Sequence, residues 1–438
     1  MKTSKEAITT GKVLIGLICF NFASFVATEQ ERHILRQWSQ FQIQKLLIEN
    51  NEESTNGNSI TPLSLVLLPE SYKTERCLDG SSFGYYIRRS KSSLKSHKWV
   101  FLLEGGGLCV EPIDCVLRKN SDEGSSLFWK ETFMPGTDGL KDILSDNPQQ
   151  NPYFYDYNHV YLKYCSGDTW TGTKSGFDQF GLWFSGHNNI KAVIDHLNQT
   201  ETLKSATHVF LLGLSAGGIG VHNNADYFRE RWISPSTIFR AASVGGFYFP
   251  GPVVLFPEYI LNISIPVNNF ASKYLTSWYG SALDENCLEN TAERHQHRCW
   301  DSHYLYNFID TRLFVMENRF DKSQIHDVLL CPYDHVHNNS TESFIKWFGD
   351  NMSTGLGLTV EGDRGKKKGD GLFSPSCLSH TTDFCIQGGP TVHGEKIGNI
   401  LPKWFLEDDP TIASTYQKVD LCNHIQNTKL PCNTYCQC

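Results

Sequence analysis

Short apolar runs, each stopping at small residues, alternate along this chain with stretches of helical spacing. Trp99-Val-Phe-Leu-Leu103 is continuous and apolar, then breaks at Glu104-Gly-Gly-Gly107. A run of this kind marks a strand buried on both faces. Asn158 to Tyr164, Val209 to Leu214, Phe239 to Val244 and Arg312 to Met316 predict further strands, and Tyr85 to Arg88 is strand-like. Between them Ile190, Val193, Ile194 and Leu197 fall at helical spacing, as do Ile219, Ala225, Phe228 and Trp232. Strands alternating with helices predict an α/β fold: a mainly parallel sheet with helices on both faces. No internal repeat of fixed period is visible, which excludes solenoids and propellers.

The two ends differ from this pattern. Lys2, Lys5 and Lys12 precede an apolar run from Val13 to Val26, shorter than the usual membrane span of ~20 residues. The expectation is a secretory signal peptide over residues 1–27, removed near Ala27, and an extracellular protein with no membrane span. Ile34, Leu35, Trp38, Phe41 and Leu46 predict a helix, and the Asn/Glu/Ser/Gly-rich stretch from Asn50 to Asn58 a flexible linker. Residues 28–62 are therefore read as helix and linker, and 63–438 as the main domain with a cysteine-rich tail. Of 14 cysteines only Cys19 lies in the signal, so the rest predict a disulfide framework, with one thiol left over. The tail cysteines Cys422, Cys432, Cys436 and Cys438 are read as disulfides rather than a zinc site, so no metal is expected. Sequons at Asn198, Asn262, Asn338, Asn339 and Asn351 fit a secreted glycoprotein. With 40% hydrophobic residues the 438-residue chain can build a large core, and its net charge of -8 argues against nucleic acid as a partner.

One run ends in a pattern that carries chemistry. Gly213-Leu-Ser-Ala-Gly217 fits the G-x-S-x-G nucleophile elbow, in which small neighbours let a serine sit on a sharp strand-to-helix turn. A helix starting beneath Ser215 favours negative charge there. Serine needs a base, and the base needs an acid to orient it; in this type of hydrolase the chain order is serine, acid, histidine. Asp321 follows the Arg312–Met316 strand at the sheet edge where open α/β folds do chemistry, whereas Asp310 precedes it. The base is less determined. His222, His326, His335, His380, His393 and His424 all lie downstream; His222 would point away, and His380 is favoured only slightly because nearby Cys377 can fix its loop. For the oxyanion, Glu104-Gly-Gly-Gly-Leu108 after its strand is similar to the HGGG-type donor loop, making Gly106, Gly107 and Ala216 the expected donors.

Several segments together carry a family resemblance. Leu103-Glu-Gly-Gly-Gly-Leu-Cys109, Cys115-Val-Leu-Arg-Lys-Asn120 with Gly124-Ser-Ser126, Tyr164-Cys-Ser-Gly-Asp168 and Gly213-Leu-Ser-Ala-Gly-Gly218 resemble the pectin acetylesterase/Notum family. Phe320-Asp321 and Cys377-Leu-Ser-His380 match in the same order, and the resemblance runs from about Leu63 to the tail. It implies a disulfide-stabilised α/β-hydrolase with the triad on Ser215, Asp321 and His380, which chooses the histidine. It also implies disulfides Cys77–Cys165 and Cys109–Cys115, with Cys287–Cys299 plausible and Cys331–Cys377 assigned from the leftover cysteines. The family holds both acetylesterases acting on pectin and a deacylase that removes palmitoleate from a serine of Wnt proteins. Gly107 and Leu108 stand where Notum carries bulky aromatics, and Ser243-Val-Gly-Gly-Phe-Tyr-Phe249 departs from the family, which usually has an aspartate near Ser243.

The expected protein is a monomeric, cofactor-independent serine carboxylesterase. Its first-choice substrate is an O-acetylated polysaccharide; the alternatives are a fatty-acylated protein and a non-catalytic glycan- or protein-binding module. Leu108, Trp170, Phe247 and Phe249 are candidate walls of the acyl pocket, although buried aromatics are more often core. The basic loop Arg364-Gly-Lys-Lys-Lys-Gly369 reads as a solvated run, with polyanion contact as the minority reading.

Overall fold

The computed structural model describes Gln37, Ser39 and residues 60–438 apart from 137–139, 175, 177–179, 202, 249–266, 330, 332–338, 423–430 and 434. The expected signal peptide, nearly all of the N-terminal helix and linker, Phe249, His335, His424 and the sequons at Asn262 and Asn338 lie outside the described residues.

The apolar runs form the middle of one sheet. Its strands are β1 (Leu63–Leu67), β2 (Gly84–Arg88), β3 (Lys98–Leu103), β4 (Thr132–Phe133), β5 (Asn158–Leu162), β6 (His208–Leu214), β7 (Ile238–Val244), β8 (Leu313–Met316) and β9 (Gly371–Ser374). A separate hairpin joins β10 (Thr391–Val392) to β11 (Glu395–Lys396), and β12 (Gln417–Val419) returns to the main sheet. The sheet order is β12-β9-β8-β7-β6-β3-β5-β2-β1-β4. From β12 to β5 all neighbours are parallel, while β2, β1 and β4 add an antiparallel margin.

The unbroken apolar runs are explained by burial on both faces. In β3, Trp99, Phe101 and Leu103 enter one core with Val209 and Leu211 of β6. Val100 and Leu102 enter the other with Phe210, Leu212 and Leu214. The first core is closed by helices Gly186–Thr200 and Ala216–Trp232, the second by helix Ile397–Leu406. Short, locally featureless strands were not foreseen: Gly371-Leu-Phe-Ser374 is too brief for a period to show.

Six disulfides among the described residues brace the fold. Cys77–Cys165, Cys109–Cys115 and Cys287–Cys299 are formed as the resemblance implies. The expected Cys331–Cys377 pair is not: Cys377 bonds Cys436, and Cys331 is the free cysteine among the described residues. The tail comes back over the loop after β9, so Cys377 meets a partner 59 residues away, while burial pushes the Cys331 thiol up to about 11. The remaining pairs are Cys385–Cys438 and Cys422–Cys432, so all four tail cysteines are disulfide-bonded. The basic segment is a short helix, Asp363–Lys368, stopped by Gly369 in the left-handed region. Arg364 pairs with Asp310 and Lys368 with Asp370, leaving Lys366 and Lys367 exposed. No helix among the described residues is long and apolar enough to cross a membrane.

Candidate active site

Parallel strands deliver their carboxyl ends to one edge of the sheet, and loops from neighbouring strands leave β3 and β6 in opposite directions. A crevice opens at such a reversal. Here β3 runs into the glycine loop and β6 into Ser215. β8 and β9 bring Asp321 and His380 to the same edge.

Ser215 has φ 53° and ψ -116°, a backbone conformation costly for any side chain. The surroundings enforce it. Its N–H donates to Val244 O at 2.7 Å, and helix Ala216–Trp232 begins at once. A Cβ on Gly213 would stand 2.0 Å from Gly217 O, and one on Gly217 2.2 Å from Leu103 O. The two motif glycines are therefore required by close approach of backbone to backbone.

Ser215 Oγ lies 2.8 Å from His380 Nε2, and His380 Nδ1 lies 2.6 Å from Asp321 Oδ2. Ser215 is half-buried, His380 is 19% exposed and Asp321 is fully buried. Gln324 N–H donates to Asp321 Oδ1 at 2.7 Å, which leaves Oδ2 for the imidazole. Asn318 Nδ2 donates both to His380 O at 2.9 Å and to Asp383 Oδ1 at 3.0 Å. Glu317, fully buried, accepts from Phe247 N–H at 2.9 Å. Burial, and then the neighbouring Asp321 carboxylate, hold the Glu317 carboxyl well above its usual range. Asp383 is raised to about 6, chiefly by burial.

Among the described residues, the other candidate histidines stay away from this chain of hydrogen bonds. His222 is buried on the elbow helix, its ring 6.5 Å from Phe247. His393 is exposed at the tip of the β10–β11 hairpin with φ 50°, and His326 faces Cys331 O at 2.5 Å.

The glycine loop borders the serine: a Cβ on Gly105 would stand 3.0 Å from Ser215 Cβ. Gly106 and Gly107 have φ +134° and +70°, backbone states that only glycine adopts without strain. Leu108 is half-buried beside them. Trp170, a candidate pocket wall, is instead a brace. It is fully buried, its Nε1–H donates to Glu104 O at 2.9 Å, and its ring packs at 5.2 Å from Tyr164. Phe247 is likewise fully buried, against His303 and Tyr306. Sequence reasoning passed over Glu317, Asn318, Gln324 and Arg118, although Arg118 stands in a segment it singled out and Glu317 and Asn318 lie just after a predicted strand. Their polar side chains gain meaning only from burial, which a local pattern does not reveal.

Against known proteins, residues 57–437 match the pectinacetylesterase family. The chain belongs to that family. Among its relatives, the planarian (Schmidtea mediterranea) palmitoleoyl-protein carboxylesterase NOTUM is 28% identical over 345 residues, 77% of this chain and 61% of the relative. Pectin acetylesterase 11 of Arabidopsis thaliana is 27% identical over 376 residues, 82% of this chain and 88% of the relative. The chain thus spans about three fifths of the planarian protein's length. The crystal structure of the Wnt deacylase Notum from Drosophila superposes with a TM-score of 0.68 at 24% identity, covering 86% of this chain and 100% of that one. The superposition shows that the family fold, an α/β-hydrolase-type sheet with flanking helices, is present here.

Proposed function

We propose that this chain is a secreted serine carboxylesterase that hydrolyses O-acyl esters through an acyl-enzyme. One observation carries the reading: Asp321, His380 and a backbone-constrained Ser215 form a continuous chain of hydrogen bonds beside a glycine loop. Ser215 Oγ attacks the ester carbonyl while His380 Nε2 takes its proton, and Asp321 fixes the tautomer and steadies the imidazolium. The N–H groups of Gly106, Gly107 and Ala216 receive the oxyanion. His380 then protonates the leaving alcohol, and water attacks the acyl-enzyme through the same imidazole. No cofactor or metal enters these steps. Six disulfides suit an oxidising compartment, which supports secretion.

The acyl group in this reading is short, an acetyl on a polysaccharide. Of the candidate pocket residues among the described ones, Trp170 and Phe247 are fully buried and committed to packing, while Leu108 is half-buried beside the glycine loop. The second reading, a fatty acyl group on a protein, follows from the Notum relatives. Labelling with a serine-directed fluorophosphonate tests the enzyme reading: wild type labels and Ser215→Ala does not. Equal labelling sinks it and favours a non-catalytic binding module. A p-nitrophenyl ester series from acetate to palmitate separates the two substrates. Acetate is expected to be the best, and a marked preference for octanoate and longer chains favours the fatty-acyl reading.

A further inference from the structure

Beneath the glycine loop lies a buried cation that the proposed reaction steps leave unused. Arg118 is the last residue of helix Pro112–Arg118 and is 1% exposed. Its Nη2–H donates to Gly106 O at 2.6 Å, and its Nη1 lies 2.8 Å from Glu123 Oε2. Glu123 itself packs on the loop: a Cβ on Gly106 would stand 2.9 Å from Glu123 Oε1.

The platform that carries Arg118 is rigid. Cys115 of the same helix is disulfide-bonded to Cys109, at the end of the glycine loop. Asp114 accepts the N–H groups of Val110 and Glu111, Cys109 N–H donates to Gly167 O at 2.9 Å, and Tyr279 OH donates to Cys109 O at 2.5 Å. Glu104 at the start of the loop is also held, but beyond it two consecutive glycines, Gly106 and Gly107, sit at positive φ. Such a peptide can flip at little steric cost. In a trans peptide the carbonyl of one residue and the N–H of the next point to opposite sides. The orientation of the Gly106 carbonyl therefore fixes that of the Gly107 N–H. A flipped peptide would turn an acceptor toward the oxyanion in place of a donor.

We propose that Arg118 is the positioning residue of the oxyanion hole, holding the Gly106 carbonyl so that the Gly107 N–H stays aimed at the oxyanion. This rests on the assignment of Ser215 as nucleophile. The guanidinium never touches substrate; it acts through one peptide plane. Losing a single oxyanion donor costs about 10²–10³ in kcat, which sets the expected effect.

The test is steady-state kinetics of full-length Arg118→Ala on p-nitrophenyl acetate, with Ser215→Ala in parallel. The expected result is a fall in kcat of about a hundredfold with little change in KM, since the lost interaction exists only in the transition state. Affinity for a boronic acid, which mimics the tetrahedral adduct, should fall in parallel, and millimolar guanidinium should restore part of kcat. Arg118→Lys, whose ammonium can reach the carbonyl without the fork geometry, should lose less, about tenfold. If Arg118→Ala does not fold, Arg118→Lys decides alone by its kcat and boronate affinity. Wild-type kcat in a folded Arg118 variant overturns the positioning role. So does a loss confined to KM, or a fall in thermal stability with kcat intact. Activity persisting in Ser215→Ala would instead overturn the nucleophile assignment, so the two failures are distinguishable.

Discussion

Ser215 and His380 stand 2.8 Å apart, yet the chain holds them in place by unlike means. Ser215 ends a central strand of the sheet, and its strained backbone is enforced by Gly213 and Gly217, each in direct backbone contact with its surroundings. His380 rides the loop after β9. Cys377 and Cys385 bracket that loop and tie it to Cys436 and Cys438 in the tail, 59 and 53 residues away in sequence. Below it, Asn318 joins the His380 carbonyl to Asp383, and Gln324 orients Asp321. One half of the site is fixed by the sterics of consecutive residues, the other by covalent and polar links between distant ones. A small substitution should therefore ruin the first, while the second should loosen by degrees.

Gly217→Ala attacks the serine half and should have the largest effect on turnover. The added Cβ would stand 2.2 Å from Leu103 O, and backbone cannot move aside as a flexible side chain can. Overpacking of this kind costs about 1–3 kcal/mol of stability. A shift of the elbow by an ångström costs roughly 10²-fold in rate. Denaturant melts and kcat on p-nitrophenyl acetate measure both. Near-normal kcat in Gly217→Ala would show that the elbow has slack, and the contrast between the halves would fail.

That contrast also governs what was legible beforehand. The elbow, the glycine loop and the central strands could be read because each is encoded in contiguous residues: an apolar run, then glycines. Asp321 could be placed because it follows such a run. His380 could not be chosen over His393 by pattern, since what sets it apart is a tail that returns from the far end of the chain. The mistaken Cys331–Cys377 pairing has the same origin. Pairing Cys377 with Cys436 requires knowing that β12 lies beside β9, and two strands of three and four residues leave little trace in sequence. Glu317 and Arg118 were visible as residues, but their roles depend on burial.

Removing the tail links, Cys436→Ser with Cys438→Ser, loosens the histidine half and should come next in size. Each disulfide closes a long loop, and losing a native one costs about 2–5 kcal/mol. The core of the sheet does not depend on them, so the expected result is a folded protein with kcat lowered roughly tenfold by a less well-placed imidazole. Fluorophosphonate labelling of Ser215 should slow by a similar factor without being lost. Unchanged kcat would mean that Asn318 and the Asp321 contact suffice to hold the loop.

The smallest expected effect on turnover concerns Asp383, which tests the polar net beneath His380 without touching the hydrogen bonds of the histidine ring. Its carboxyl is raised from 3.8 to about 6 in the fold, mainly by burial. The folded state therefore binds more protons than the unfolded one between these values, so this group's contribution falls as pH rises from about 4 to 6 and is flat above. In Asp383→Asn that slope vanishes. The variant's stability relative to wild type should climb across this window by up to about 3 kcal/mol. The constant offset from any altered hydrogen bond to Asn318 does not affect the slope. Urea unfolding at a series of pH values reads the difference directly, and kcat at neutral pH should change little because the Asn318 contact to Oδ1 can be kept. A pH-independent difference would show that Asp383 titrates alike in both states. The histidine half would then rest on its disulfides and Asn318, with no titration penalty from Asp383.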